Sequence, residues 1–331
     1  MTGRIGRRSC LTGAVAAMSR ALGLRSARAD QSLRLLIASA SGSGGDQEAR
    51  AYAPFLERHL PGAEIEPEDM PGEGGLVAFR QLAAAPADGA TLGWVTTPSL
   101  PARMVEHGLA GMTPQAAGMP GISLLGAVQK EPIALVSPAT AALASAQDLF
   151  SREAGAAALP LGTPPAGSPP HLAALRLQAL AGARLNIVVF PSAAAAREAV
   201  LAGNVAAAAL ALGDAIAALR DGRLAGLGIT ANHRVDAFPD MPPLGDAGLP
   251  LSAFILRGLA APAGLPQATA ARLLEAMQAV VADPDYHAQG DASGFSVLWL
   301  DGDAWTAHAE AERVELTRLW QAAPWRPLRT W

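Results

Sequence analysis

The chain has 331 residues, 50% of them hydrophobic and 16% charged. That is enough to bury the core of one large or two medium domains, and too apolar for a disordered chain. Its formal charge is −4, and residues 1–29 hold six arginines and no acid, so the remainder stands at −10; this balance argues against nucleic acid or an anionic membrane surface as partner.

Residues 1–29, MTGRIGRRSCLTGAVAAMSRALGLRSARA, join a basic start, a weakly apolar middle and the small-residue end Ala27-Arg28-Ala29. Together these describe a cleavable export signal, with the mature chain starting near Asp30. Arg7-Arg8 followed by Ser9-Cys10-Leu11-Thr12 resembles a twin-arginine signal. Cys10 stands where a large apolar residue is usual and Arg20 breaks the apolar stretch, so the general export route stays open as well. Cys10 is the only cysteine and leaves with the signal, so the mature protein has neither disulfide nor thiol chemistry. No later segment is apolar for the ~20 residues needed to span a bilayer. The expectation is an exported, periplasmic, soluble protein.

Strand-like apolar runs then alternate with helical patterns. The strand candidates are Leu33 to Ala38, Thr91 to Val95, Gly126 to Ser137, Leu159 to Gly162, Leu185 to Phe190 and Leu224 to Thr230. Ala49, Tyr52, Ala53, Leu56 and Leu60 share one helical face, with Pro54 as a possible bend. Ser192 suits an N-cap for a helix that runs to Leu201 and stops at Gly203. Leu273, Leu274, Met277, Val280 and Val281 share a later face, as do Trp305, Ala309, Leu316 and Trp320. Strands separated by helices predict an α/β fold with doubly wound parallel sheets. The run GAVQKEPIALVS at 126–137 is long and polar-interrupted, as a segment crossing between domains would be. With the Leu224 to Thr230 stretch as the second crossing, domain one comprises 30–128 and 231–331, and domain two is 129–230.

Two strand-loop-helix stretches carry the candidate chemistry. In SGSGGDQEAR at 41–50, glycines let backbone N–H groups point inward while a helix start adds its dipole, which suits a phosphate or carboxylate. Neither GxxxxGK[ST] nor GxGxxG is present, and Asp46 reads best as the helix N-cap. In LPLGTPPAGSPPHL at 159–172 the prolines have no N–H to give. The donors are the N–H groups of Thr163, Ala166, Gly167, Ser168 and His171 plus two hydroxyls. His171 reads as a helix-surface or capping residue, because no cysteine or GxSxG serine nucleophile occurs. The histidines at 59, 107, 171, 233, 287 and 308 lack metal-ligand spacing, so neither metal nor cofactor is expected.

GSGGD at 42–46 with Ala49-Arg50, PGEGG at 71–75, PADGATL at 86–92, GSPPHL at 167–172, HRVDAFPDMPPLGDAGLP at 233–250 and APAGLP at 261–266 resemble, in that order, the periplasmic receptors of tripartite tricarboxylate transporters, the Bug-type solute-binding proteins. The resemblance spans nearly all of the mature chain. It implies a Venus flytrap of two α/β domains joined by a two-crossing hinge, with a carboxylate-bearing solute held between the two loops largely by main-chain N–H groups and ordered water. It also implies integral membrane transporter subunits as partners. The chain departs from the pattern at Met70, where an Asn is usual, at Phe190-Pro191-Ser192, which lacks an aromatic hydroxyl, at Val205-Ala206, and at Leu256 in place of a tryptophan. Candidate ligand residues are Ser41, Gly42, Ser43, Gly44, Gly45 and Asp46, Thr96 and Thr97, Thr163, Ala166, Gly167, Ser168 and His171, and Phe190. Arg257 reads as a surface arginine, with contact to a second carboxylate as the alternative. The expected function is capture of a small organic carboxylate, by a monomer without enzymatic activity, for delivery to the transporter. The competing readings are a receptor reporting to a sensor kinase and, from another class, an exported hydrolase using Ser43 or Ser168 with His171 and Asp46, for which no motif supplies the arrangement.

Overall fold

The computed structural model describes residues 31–108, 121–150, 158–182 and 185–326; the export signal and the start at Asp30 lie outside them. Nineteen regular strands and helices follow in chain order. The first part holds β1 (Gln31–Ile37), α1 (Gly44–His59), β2 (Ala63–Asp69), α2 (Leu76–Ala84), β3 (Thr91–Thr97) and α3 (Ser99–Glu106). Next come β4 (Ile122–Pro138), β5 (Pro160–Thr163), α4 (Pro169–Ala181), β6 (Asn186–Val189), α5 (Ala193–Leu201), β7 (Ala207–Ala211), α6 (Leu212–Arg220) and β8 (Leu224–Ile229). The chain ends with β9 (Phe254–Pro262), α7 (Gln267–Val281), α8 (Pro284–Ser293), β10 (Ser296–Asp301) and α9 (Gly302–Ala322).

The strands make two sheets that share β4. In the first the order is β2-β1-β3-β9-β4-β10, with β2, β1 and β3 parallel and the rest antiparallel to their neighbours. In the second it is β6-β5-β7-β4-β8, parallel among β6, β5 and β7. The 17-residue β4 changes sheets between Pro132, opposite Phe254 of β9, and Ile133, opposite Ala211 of β7. Each sheet is covered on both faces, which gives the α/β flytrap its two lobes. One apolar cluster packs α1, α7 and α8 against the first sheet around Tyr52, Trp94 and Tyr286. Another packs α4 against the second sheet around Leu135, Leu161 and Leu177.

Residues 231–253, expected with the first domain, pack on the second sheet instead. Leu244, Leu249 and Leu251 join its cluster, and Met241 and Leu244 lie so close to Gly226 and Gly228 that a Cβ there would collide with them. The second crossing therefore leads through this apolar segment. Thr230 ties it to the hinge: its Oγ1 accepts the Ile133 N–H at 2.9 Å and donates to Ala253 O at 2.5 Å.

Candidate functional site

The first loop begins by satisfying itself. Ser43 is the N-cap of α1, and its Oγ accepts the Asp46 N–H at 3.4 Å. The sequence points to Asp46 for that place; the structure puts Asp46 inside the first turn. Its carboxylate reaches back to the Gly42 N–H at 2.7 Å and onto Arg50 Nε at 2.5 Å, and Arg50 goes on to Asp69 at 2.8 Å. Burial opposes the ionisation of Asp46, but the Gly42 N–H and the Arg50 guanidinium outweigh it and hold the carboxyl below its usual range. The Ser43 N–H goes to Ala40 O at 3.1 Å. Of the N–H groups of residues 42–46, described residues therefore claim all but those of Gly44 and Gly45. These are the first two of α1, where the helix dipole adds to them. Both lie in close quarters: a Cβ on Gly44 would lie 3.3 Å from Asp214 Oδ1, and one on Gly45 3.0 Å from Ser39 Oγ, so a side chain there would press on these neighbours.

The second loop is also partly self-satisfied. Thr163 ends β5 and Ser168 is the N-cap of α4, with proline in its first turn. The hydroxyls of both are buried without a hydrogen-bond partner among the described residues. Gly167, at φ +76°, donates its N–H to His171 Nδ1 at 3.3 Å, and the Ser168 N–H goes to Pro165 O at 2.9 Å. His171, expected at the helix surface or as a cap, is buried and acts as acceptor for the loop. Burial, then the charges of Arg103 and Arg326, push it down to about 4. It is neutral, with the proton on Nε2.

Over this loop close Arg103 and Glu106 of α3 with Trp325 and Arg326 from beyond α9. Arg103 Nη1 pairs with Glu106 Oε2 at 2.6 Å, Arg103 Nη2 and Arg326 Nη2 donate to Ala166 O at 3.3 and 2.9 Å, and Trp325 Nε1 donates to Glu106 Oε1 at 2.5 Å. Side chains at Gly74 or Gly167 would collide with Arg103.

A cavity of about 190 Å³ lies between the two lobes beside the first loop. Gly44, Gln47 and Glu48 of α1 form one wall, Ala211, Gly213, Asp214 and Ile216 of β7 and α6 the other, and Glu131 of β4 and Arg257 of β9 the floor. Arg257 is not a surface residue. It is buried and ion-paired with Glu131 Oε2 at 2.5 Å, while Glu131 Oε1 accepts the Gly213 N–H at 2.7 Å. Gln129 donates to Glu48 Oε2 at 3.1 Å. Burial, with Glu131 and Asp214 adding to it and Arg257 and Gln129 opposing, pushes Glu48 up to about 7. Burial and Glu131 push Asp214 up to about 6 against Arg257 and Arg197.

The remaining candidates take supporting places. Thr97 is buried, and its Oγ1 accepts Trp305 Nε1 at 3.1 Å. Thr96 lies opposite Arg257 across β3 and β9. Phe190 gives its N–H to Thr163 O at 2.8 Å, and its ring lies against Gly162. Sequence reasoning passed over Glu48, Glu131, Asp214, Arg103 and Glu106. A signal existed for two of them. Glu131 interrupts the apolar GAVQKEPIALVS and Asp214 is a lone acid in LALGDAIAAL, and a charge inside an apolar run is costly to bury unless it is partnered or used. Among the described residues no helix is long and apolar enough to cross a membrane, and no group of three His, Cys, Asp or Glu is placed to hold a metal ion.

Two α/β lobes on a shared strand, with a polar cavity walled by both, define a solute-binding protein. Residues 54–316 match the tripartite tricarboxylate transporter family receptor, and the chain belongs to that family. It is 26% identical over 297 residues to a UPF0065 protein of Bordetella bronchiseptica, covering 89% of this chain and 86% of the relative. Its fold is similar to that of the periplasmic binding protein BugD, at 21% identity, a TM-score of 0.73 and coverage of 88% of this chain and 97% of the other. It is also similar to MatC of Rhodopseudomonas palustris with bound malate, at 23% identity, a TM-score of 0.71 and coverage of 87% and 98%. Fold and family are those of solute-binding proteins and not of enzymes.

Proposed function

We propose that this chain is a periplasmic receptor, freed from its signal near Ala29, that captures a small organic carboxylate between its lobes and delivers it as a monomer to the membrane subunits of a tripartite tricarboxylate-type transporter. The lobes are built on residues 30–128 with the later part of the chain, and on 129–230 with 231–253 packed against it. The observation that carries the reading is the pair of unclaimed N–H groups at Gly44 and Gly45, which open a helix beside a cavity walled by both lobes. Such a helix start favours an anion through its donors and its dipole together. The second loop, Thr163 to His171, is the proposed partner of the first, offering the Ala166 N–H and the buried hydroxyls of Thr163 and Ser168, although it does not line the cavity beside Gly44. Membership of the family supports the transport role, as does the malate held by MatC.

Backbone donors survive most side-chain changes but not a steric block. Ser43→Ala is therefore expected to weaken binding of the best acid by only about 0.5–1.5 kcal/mol, the net worth of one hydrogen bond. Gly44→Val, whose side chain meets Asp214, is expected to abolish it. Thermal-shift screening of mono- and dicarboxylates followed by calorimetry on the two variants measures this. Parental affinity in Gly44→Val would remove the first loop from the site.

A further inference from the structure

The interlobe cavity holds more acid than base. Glu48 enters from α1, Asp214 from α6 and Glu131 from β4, and Arg257 faces all three. Glu131 is ion-paired with Arg257 on one oxygen and accepts the Gly213 N–H on the other. Glu48 receives the Gln129 amide alone. The Asp214 carboxylate forms part of the wall opposite Gly44, and no described residue donates a hydrogen bond to it; Arg197 reaches the Asp214 backbone carbonyl instead, at 3.0 Å. Two carboxylates from opposite lobes thus face one space, and the single guanidinium beside them is ion-paired with a third.

We propose that the cleft selects a carboxylic acid whose other end is a protonated amine, with the carboxylate on the Gly44 and Gly45 N–H groups and the ammonium between Glu48 and Asp214. The inference rests on the carboxylate reading of the cleft and narrows its substrate class. An ammonium offers three donors and no acceptor, so it can serve both acids at once and join the two lobes through them. A second carboxylate in the same space would face two like charges in a partly desolvated setting, where repulsion is strongest. A methyl end would leave both acids with no partner gained.

The groups that face the ammonium site are Glu48, Asp214, Glu131, Arg257 and, through the Asp214 main chain, Arg197. Burial pushes Glu48 up to about 7 and Asp214 to about 6, so both take up protons as the pH falls below neutral. A cation binds their ionised forms, so it displaces those protons and its affinity rises with pH between about 5.5 and 7.5. A dicarboxylate has the opposite slope, since it is held best while the two acids are neutral.

The test is calorimetry on the mature chain with ω-amino acids of three to six carbons, set against the dicarboxylates and unsubstituted acids of the same lengths. The best amino acid is expected to bind at least about tenfold more tightly than its matched dicarboxylate at pH 7.5, the ratio of one charge-assisted contact. It should tighten from pH 5.5 to 7.5 and release protons, seen as a dependence of the heat on the buffer. Asp214→Asn and Glu48→Gln should each erode that ratio by about tenfold. The ligand series and the pH slope need no variant, so a misfolded mutant does not protect the idea. Dicarboxylates or plain acids that bind as tightly as the amino acids overturn this inference alone. A screen in which no acid of any kind binds overturns it together with the carboxylate reading.

Discussion

Arg103 and Glu106 lie three residues apart on α3, and their side chains are 3% and 4% exposed. Burial pulls Arg103 down to about 10, with Glu106 opposing and Arg326 adding to the effect, so it keeps its charge at neutral pH. A buried pair of this kind adds little net stability, but removing one partner leaves the other as an uncompensated charge, at about 3–5 kcal/mol. Arg103→Ala leaves Glu106 with Arg326 at 3.5 Å and the Trp325 N–H, so a loss at the low end of that range, about 3 kcal/mol, is expected, and Arg103→Met combined with Glu106→Leu is expected to lose distinctly less. Urea unfolding of the two variants measures both. A loss below about 1 kcal/mol in Arg103→Ala would mean that water reaches Glu106 and that the pair is a surface feature. In the sequence these residues look like an ordinary exposed pair on one helix face. What makes them buried is the arrival of Gly74, Gly167 and the chain beyond α9 from distant positions.

At the start of α1, the turn and the helix are joined by Asp46, which takes the Gly42 N–H and Arg50 at once. Hydrogen bonds to a charged group contribute about 1.5–3 kcal/mol, so Asp46→Asn is expected to destabilise by about that amount at neutral pH. The folded carboxyl lies below its free value of 3.8. Its contribution is therefore full above that pH and is lost as the pH falls through the lower folded value. The gap between parent and variant should hold above about pH 5 and close below the free value; a gap that stays constant to pH 2 would show that the charge is not what matters. The apolar face of α1 was legible because Ala49, Tyr52, Ala53 and Leu56 repeat at the helical period, and all are buried. The Ser192 cap was legible too, with its Oγ on the Ala195 N–H at 3.0 Å, as was Gly203, at φ +73°. Other elements left no such mark. β2 reads AEIEPED, with too many acids to look like a strand. β7 reads AAALA, which has the highest helix propensity and is a strand because two neighbouring strands bury it. The first loop was recognised but not its accounting: which N–H groups remain depends on where Asp46 turns, and two helix positions compete for one cap.

At the scale of the whole molecule, the lobes meet on both sides of the cleft. On the hinge side β4 and the Thr230 crossing tie the sheets together. On the other side α4, which covers the second sheet, meets α3 and α9 of the first lobe through Leu172, Ala102, Val105 and Leu316, and Arg176 pairs with Glu315 at 3.1 Å. The chain just past α9 completes this contact, since Trp325 meets Trp320 edge to face at 4.6 Å between ring centroids and binds Glu106, and Arg326 crosses to Ala166 O of the second loop. Trp325 stays within the first lobe and holds the strap in place, while the Arg326 bond to Ala166 O exists only with the lobes together, so it acts on the balance between open and closed forms rather than on either lobe alone. Ending the chain after Pro324 removes these contacts and leaves both apolar cores intact. The shortened protein is expected to melt close to the parent, to show a larger radius of gyration without ligand by small-angle scattering, and to bind its acid more weakly. If the strap contributes about 1.4 kcal/mol to closure, the loss of affinity is about tenfold, because a ligand that binds the closed form must supply what the strap no longer does. Equal radii and equal affinities would show that closure is set at the hinge and by the α4–α9 contact, with Trp325 and Arg326 only resting on its edge.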